Sequence, residues 1–296
     1  MATQSSNFAA LRDPGLRLIY GDAYGEYPEE YSKIFDVQSS QRAYEDALSM
    51  SGFGVVPVKA EGKSVSYDDP IQGPTRRQTH VTYGKGFIVT REMHEDDLYK
   101  KMNALPKALA RSVRITIEQI ASDILNNGFT TTLTVDGLSL FNASHTLLGG
   151  GTFANRPTIA ADLDMTSLEQ AIIDVAAFVD ERGLLVYAKG KQLIVPPALD
   201  WQSKRLIKSP DDPETANRSI NPAAGSLTPM TLHYLTDPDA WFVNTDVPNG
   251  LIFYWRRRPE FGFDNDSDSE NAKWKTTLRF SAGADDPRAM YASPGA

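Results

Sequence analysis

Two rhythms of apolar residues divide this chain. Over residues 96–126, Leu98, Met102, Leu105, Leu109, Val113, Ile117, Ile120 and Ile124 step by three and four, which lines one face of a long helix, and Asn127-Gly128 supplies a stop. Pro106 predicts a kink or a break in that helix. A second helix is predicted from a capping box, Thr166 to Glu169, through Leu168, Ile172, Val175 and Val179 to Gly183. A short helix is also expected within 27–50, where Ile34, Val37, Tyr44 and Leu48 stand roughly at helical spacing, behind a turn at Asp13-Pro14-Gly15. Period-two patterning marks residues 52–90. There Val56, Val58, Val65 and Tyr67 flank a turn at Ala60-Glu61-Gly62-Lys63, and His80, Thr82 and Gly84 alternate with Thr79, Val81 and Tyr83. This predicts an extended ribbon with few large apolar residues, and a lone hairpin is marginal in water. Further strands are expected at 192–195, 230–234, 240–244, 251–255 and 274–280, with Pro196-Pro197 opening an amphipathic helix after the first.

Opposite the long apolar stripe, Lys100, Lys107, Arg111 and Arg114 are spaced as one basic helical face. Three readings stand side by side: a solvated polar face, a partner for the acidic residues Asp22, Glu26, Glu29, Glu30 and Asp36 of the same or an adjacent subunit, or a sequence-independent contact with DNA phosphates. Arg256-Arg257-Arg258 reads either as a clamp at a strand end or as a solvated turn.

Composition narrows the classes. A chain of 296 residues can bury roughly 75% of its unfolded surface and needs neither disulfide nor metal to hold a core. No window approaches the ~20 apolar residues of a membrane span, and the start lacks an export signal. Zero cysteines exclude thiol nucleophiles and thiolate zinc sites, and a net charge of -8 disfavours a dedicated nucleic-acid reader. Ser144-His145 invites a hydrolase reading, but no G-x-S-x-G elbow is present and the bland alternative is a loop turn. Gly62-Lys63-Ser64 and Gly52-Phe53-Gly54 both fail as phosphate-binding fingerprints, because Pro57 occupies a position that needs glycine. The run Asp264, Asp266, Asp268, Glu270 begins with calcium-loop spacing, but Ser269 and Lys275 replace the required glycine and glutamate. No cofactor, metal or catalytic residue is expected.

The segment 179–222, VDERGLLVYAKGKQLIVPPALDWQSKRLIKSPDDPETANRSINP, resembles the major capsid proteins of tailed phages, especially the Mu-type major head subunits. So do Leu140-Phe141-Asn142-Ala143-Ser144-His145 and Asp237-Pro238-Asp239-Ala240-Trp241-Phe242. The resemblance implies an α+β chain of the Hong Kong ninety-seven type. Its parts would be an N-terminal arm at 1–50, an extended β-hairpin loop at 51–93, a peripheral domain with its spine helix at 94–160, a mixed α/β axial domain at 161–247, and peripheral return strands at 248–296. It further implies self-assembly into hexamers and pentamers of an icosahedral virion shell, formed in the host cytoplasm around double-stranded DNA. Portal and decoration proteins would be partners. Some relatives carry a charged helical scaffolding segment before the arm; this sequence shows none, so the expectation is a separate scaffolding protein or a segment removed before this sequence was defined. Head-to-tail contacts of a flat subunit close into rings, and an outstretched arm and ribbon find cover only on neighbours. Gly128, Gly149-Gly150-Gly151 and Gly183 are candidate hinges. Candidate interface residues are Tyr24 and Tyr27 of the arm, Val56, Val58 and Tyr67 of the ribbon, and Lys100, Lys107, Arg111 and Arg114 of the spine. The rivals are an encapsulin-like nanocompartment shell and, further off, a β-rich hydrolase using Ser144 and His145.

Overall fold

A computed structural model describes residues 9–90, 103–211, 220–265 and 271–296. Its first half contains α1 (Ala9–Glu26), β1 (Asp36–Ser39), β2 (Tyr44–Met50), β3 (Gln72–Thr79), β4 (Val81–Val89), α2 (Ala104–Asn126), β5 (His145–Thr146) and β6 (Thr152–Phe153). The second half adds α3 (Met165–Ala176), β7 (Gly190–Val195), α4 (Asp200–Lys208), β8 (Thr228–Thr231), β9 (Trp241–Thr245), β10 (Leu251–Asn265), β11 (Ala272–Ala284) and β12 (Met290–Ser293).

Two four-stranded sheets carry the chain. One runs β1-β10-β11-β4, with β1 parallel to β10 and the other pairs antiparallel. The other runs β12-β9-β7-β8, with β8 parallel to β7. Successive side chains of a strand point to opposite faces, so a strand covered on both sides reads as an unbroken apolar run. That is why Leu193-Ile194-Val195 and Trp241-Phe242-Val243 look as they do. Leu193, Val195, Trp241, Val243 and Tyr291 pack with Leu168, Ala171 and Val175 of α3 and Leu206 and Ile207 of α4. Ile194, Phe242, Met290 and Ala292 face the other way, into a core shared with Val113, Ile117, Ala121 and Leu125 of α2 and Phe253, Trp255, Leu278 and Phe280 of the first sheet. Segment 248–296 is therefore shared: β10 and β11 build the first sheet, and β12 crosses to pair with β9.

Several expectations are corrected. No turn interrupts residues 13–15; α1 runs through them, and Leu16, Tyr20 and Ala23 are buried against the molecule. Residues 27–50 hold a 3-10 turn at Tyr31–Lys33 followed by β1 and β2, not a helix. Tyr44 and Leu48 are four apart, a spacing shared by one face of a helix and one face of a strand. Around the ribbon tip only the turn is found, with the Lys63 amide donating to the Ala60 carbonyl; Val56, Val58, Val65 and Tyr67 lie in unpaired extended chain, and the ladder sits lower, between β2 and β3. Pro106 occupies the first turn of α2, where its missing N–H has no intrahelical partner to lose, so it neither kinks nor divides the described helix. Leu98, Met102 and Lys100 lie outside the described residues. Finally, α3 is capped by Asp164 and Ser167, two residues earlier than expected, and ends at Ala176; Gly183, at φ +79°, makes the turn of a bridge between Val179 and Leu185.

Candidate assembly surfaces

The loop of residues 51–71 stands out from the body. Ser51, fully buried, closes its neck: its amide donates to the Ile71 carbonyl at 2.9 Å, and its hydroxyl accepts from the Ile71 amide at 2.8 Å. Beyond the neck Phe53 is 63% exposed, Val56 89%, Val58 99% and Tyr67 91%. Apolar side chains exposed at this density make the loop a candidate interaction surface. Arg182, on the turn between Val179 and Leu185, holds the neck from the side. It donates to the Asp69 carbonyl at 2.7 Å and the Gly52 carbonyl at 3.3 Å, and meets Asp68 at 3.3 Å. Asp68 is held below its ordinary pKa, first by the Gly54 amide and then by Arg182. A cleft of about 630 Å³ opens at this root, between Met50, Leu148, Asp180 and Arg288.

The expected arm does not depend on a neighbour for cover: α1 packs along α2 of its own chain, with Leu16, Tyr20 and Ala23 buried. Arg114 is buried, not on a solvated face with Lys107 and Arg111, which are exposed. Its guanidinium stands 4.1 Å over the Tyr24 ring, donates to the Tyr24 carbonyl at 3.3 Å and reaches Glu29 at 3.5 Å. One turn on, the buried Glu118 accepts from the amides of Glu30 and Tyr31 at 3.1 and 3.0 Å. Burial pushes the Glu118 carboxyl up, and those two amides partly offset it. Arg111 lies 5.9 Å over the half-buried Tyr27. Glu30 then joins the arm to the second sheet's connections, accepting from the His233 amide and from its ring Nδ1. Of the three readings of the basic face, Arg114 fits the one that pairs it with the acidic arm, through Glu29; the buried acid at Glu118, one turn away, was the missed signal.

Ser144 and His145 do not form a nucleophile and base. Ser144 is exposed, whereas His145 is fully buried, with Nδ1 2.6 Å from Asp136 and Nε2 3.2 Å from the Asn155 side-chain oxygen. Both ring nitrogens are thus committed to acceptors. Asn155 is fixed in turn, because its amide nitrogen donates to the carbonyls of Leu140, Pro287 and Met290. The cluster sutures the 140–155 connection to the chain's last strand. Among the described residues no group of acids and histidines is arranged to hold a metal ion.

A family model for phage capsid proteins matches residues 75–293. Among solved structures, the capsid of bacteriophage JBD30 decorated with minor capsid protein trimers is similar, with a TM-score of 0.59, 13% identity, and 80% of this chain and 100% of that chain covered. The capsid of the native GTA particle has a TM-score of 0.59 at 12% identity, with 90% of each chain covered. A virus-like particle from Pyrococcus furiosus has a TM-score of 0.55 at 9% identity, with 94% of this chain and 97% of that chain covered. No curated protein matches the sequence. These likenesses establish the Hong Kong ninety-seven type of capsid fold and do not single out the Mu-type subunits. With the family model spanning residues 75–293 and a fold shared with solved capsids, the chain belongs to the phage capsid protein family.

Proposed function

We propose that this major capsid subunit closes into hexamers and pentamers of an icosahedral shell around double-stranded DNA. Assembly takes place in the host cytoplasm, with a separate scaffolding protein, a portal and a decoration protein as partners. The role is structural and assigns no reaction. One observation carries the reading: loop 51–71 holds Phe53, Val56, Val58 and Tyr67 in solvent, and a neighbouring copy is the cover that a closed shell supplies to every loop at once. Exposed Lys107 and Arg111 support non-specific contact with packaged DNA, a term that weakens with salt. A cargo-filled nanocompartment is disfavoured by the family match, and the engaged nitrogens of His145 argue against a hydrolase.

The test is deletion of residues 60–64 at the loop tip. That segment contributes a turn and no ladder pairing, so the variant subunit should keep its thermal unfolding transition and lose shells in negative-stain images. Shells of normal yield would remove the loop from assembly.

A further inference from the structure

Two helices of the α/β unit expose faces that none of the described residues covers, and the faces are complementary. On α4, Trp201, Lys204, Arg205 and Lys208 fall within about 100° of one another at 100° per residue and all are exposed, Trp201 to 77%. On α3, Glu169, Gln170 and Ile173 make the equivalent exposed face, with Ile173 at 61%. Helix α4 carries three cations and one acid. Helix α3 carries two acids and no cation, and exposed Asp162 and Asp164 precede it. Each face is therefore one large apolar side chain within a single sign of charge.

Their placement decides what can join them. The sheet order β12-β9-β7-β8 puts β12 and β8 at opposite borders. Helix α3 is tied to the β12 border, where the Tyr291 hydroxyl donates to Asp174 at 2.9 Å. Helix α4 packs on β8 and β7, and its Asp200 accepts from the Thr231 hydroxyl of β8 at 2.5 Å. Both helices cover the same sheet face, since both enter one core with Leu193, Val195, Trp241 and Val243. Opposite borders of one layer cannot meet within a subunit, but they can meet between subunits, and repetition of that unlike contact by rotation closes a ring.

Building on the shell reading above, we infer that the α4 face of one copy docks on the α3 face of the next copy around the ring, Trp201 against Ile173 and Arg205 and Lys208 against Glu169 and Asp162. A nucleic-acid role for the cations is the weaker match, because the exposed apolar partner on α3 and the acids around it have no counterpart in a phosphate backbone. Lys204 is already engaged by Asp200 at 2.6 Å, which leaves Arg205 and Lys208 to make the intersubunit charge contact.

The chain has no cysteine, so a disulfide can report the contact alone. Full-length Ile173→Cys/Trp201→Cys, assembled and treated with diamide, should give a covalent ladder on non-reducing gels, because a disulfide requires Cα atoms within about 7 Å. Each single variant should give none, and their one-to-one mixture should stop at dimers. Shells without the ladder, or homodimers from either single variant, overturn the contact and leave the shell reading intact; wild-type chain that stays single-copy at high concentration overturns both. Separately, Arg205→Glu/Lys208→Glu should lower shell yield at least tenfold, and adding Glu169→Lys should restore it. Normal shells that retain less DNA would assign the face to nucleic acid and overturn the proposal.

Discussion

At the scale of single residues the surprise is how little of the suggestive chemistry is chemistry. Asp136 shows it most clearly. Burial alone would raise its carboxyl, but His145 Nδ1, the Thr134 hydroxyl and the Leu138 amide outweigh burial and hold it below the ordinary carboxylate value. A carboxyl depressed in the folded state adds stability above its unfolded value near 3.9, and that contribution is lost as pH falls through the folded value. Asp136→Asn should therefore lower the unfolding free energy of the unassembled subunit at pH 7, read from denaturant titration, by about 1.5–3 kcal/mol for the charge-assisted bond removed, with the gap to wild type narrowing at pH 3. An unchanging gap would mean that the carboxylate charge is not what Asp136 contributes. Buried Glu118 and Asp285, both raised by desolvation, respond in the opposite sense, so only the difference from wild type isolates Asp136. None of this was legible in the sequence. Ser144-His145 is visible as a pair, but Asn155 orients His145 by donating to carbonyls as far as 135 residues away, and no local pattern encodes that.

Elements were legible where the apolar pattern records their burial, on one face or on both, and obscure where it does not. Helices α3 and α4 and strands β7 and β9 carry apolar patterns that match their packing, and sequence placed them within a few residues. Helix α1 and strand β2 escaped because their form is imposed from outside. Tyr20 of α1 stacks on Phe261 at 4.8 Å, and β2 is exposed at Tyr44, Leu48 and Met50, its apolar face uncovered in the single chain. The arm illustrates how a spine residue can set a neighbouring segment's course. Glu118 ends two backbone amides that the 3-10 turn at Tyr31–Lys33 cannot satisfy internally, while Tyr31 packs on Phe253 at 4.5 Å. Glu118→Ala leaves both donors buried without an acceptor, a loss of about 1–3 kcal/mol each before relaxation. The expected result is a lower melting temperature together with faster limited proteolysis within residues 27–35. If cleavage there is unchanged, apolar packing by Tyr31, Ile34 and Phe35 holds the arm without help.

For the whole molecule, the fold class was readable and the joints between its parts were not. Resemblance supplied the plan, yet nothing along the chain announced that Arg182 would reach back more than a hundred residues to the loop neck. The magnitude of that contact defines its job. Two hydrogen bonds from a charged guanidinium contribute up to about 1.5–3 kcal/mol each, whereas fixing one residue's backbone costs about 1–2 kcal/mol. The clamp can therefore order a few residues at the neck and cannot order the loop that extends from it. On the proposed shell reading, a neck held at residues 52 and 68–71 with freedom beyond it would aim the loop before a neighbour covers it. Arg182→Ala should leave the melting temperature almost unchanged, since no core contact is lost, and should raise amide exchange at Gly54 and Ile71 about tenfold in the free subunit. Exchange at Val56 and Val58 should stay as fast as before, and shells should form more slowly in a light-scattering time course. Unchanged exchange at Gly54 and Ile71 would show that Ser51 alone closes the neck, and slowed assembly would then need a cause outside the loop.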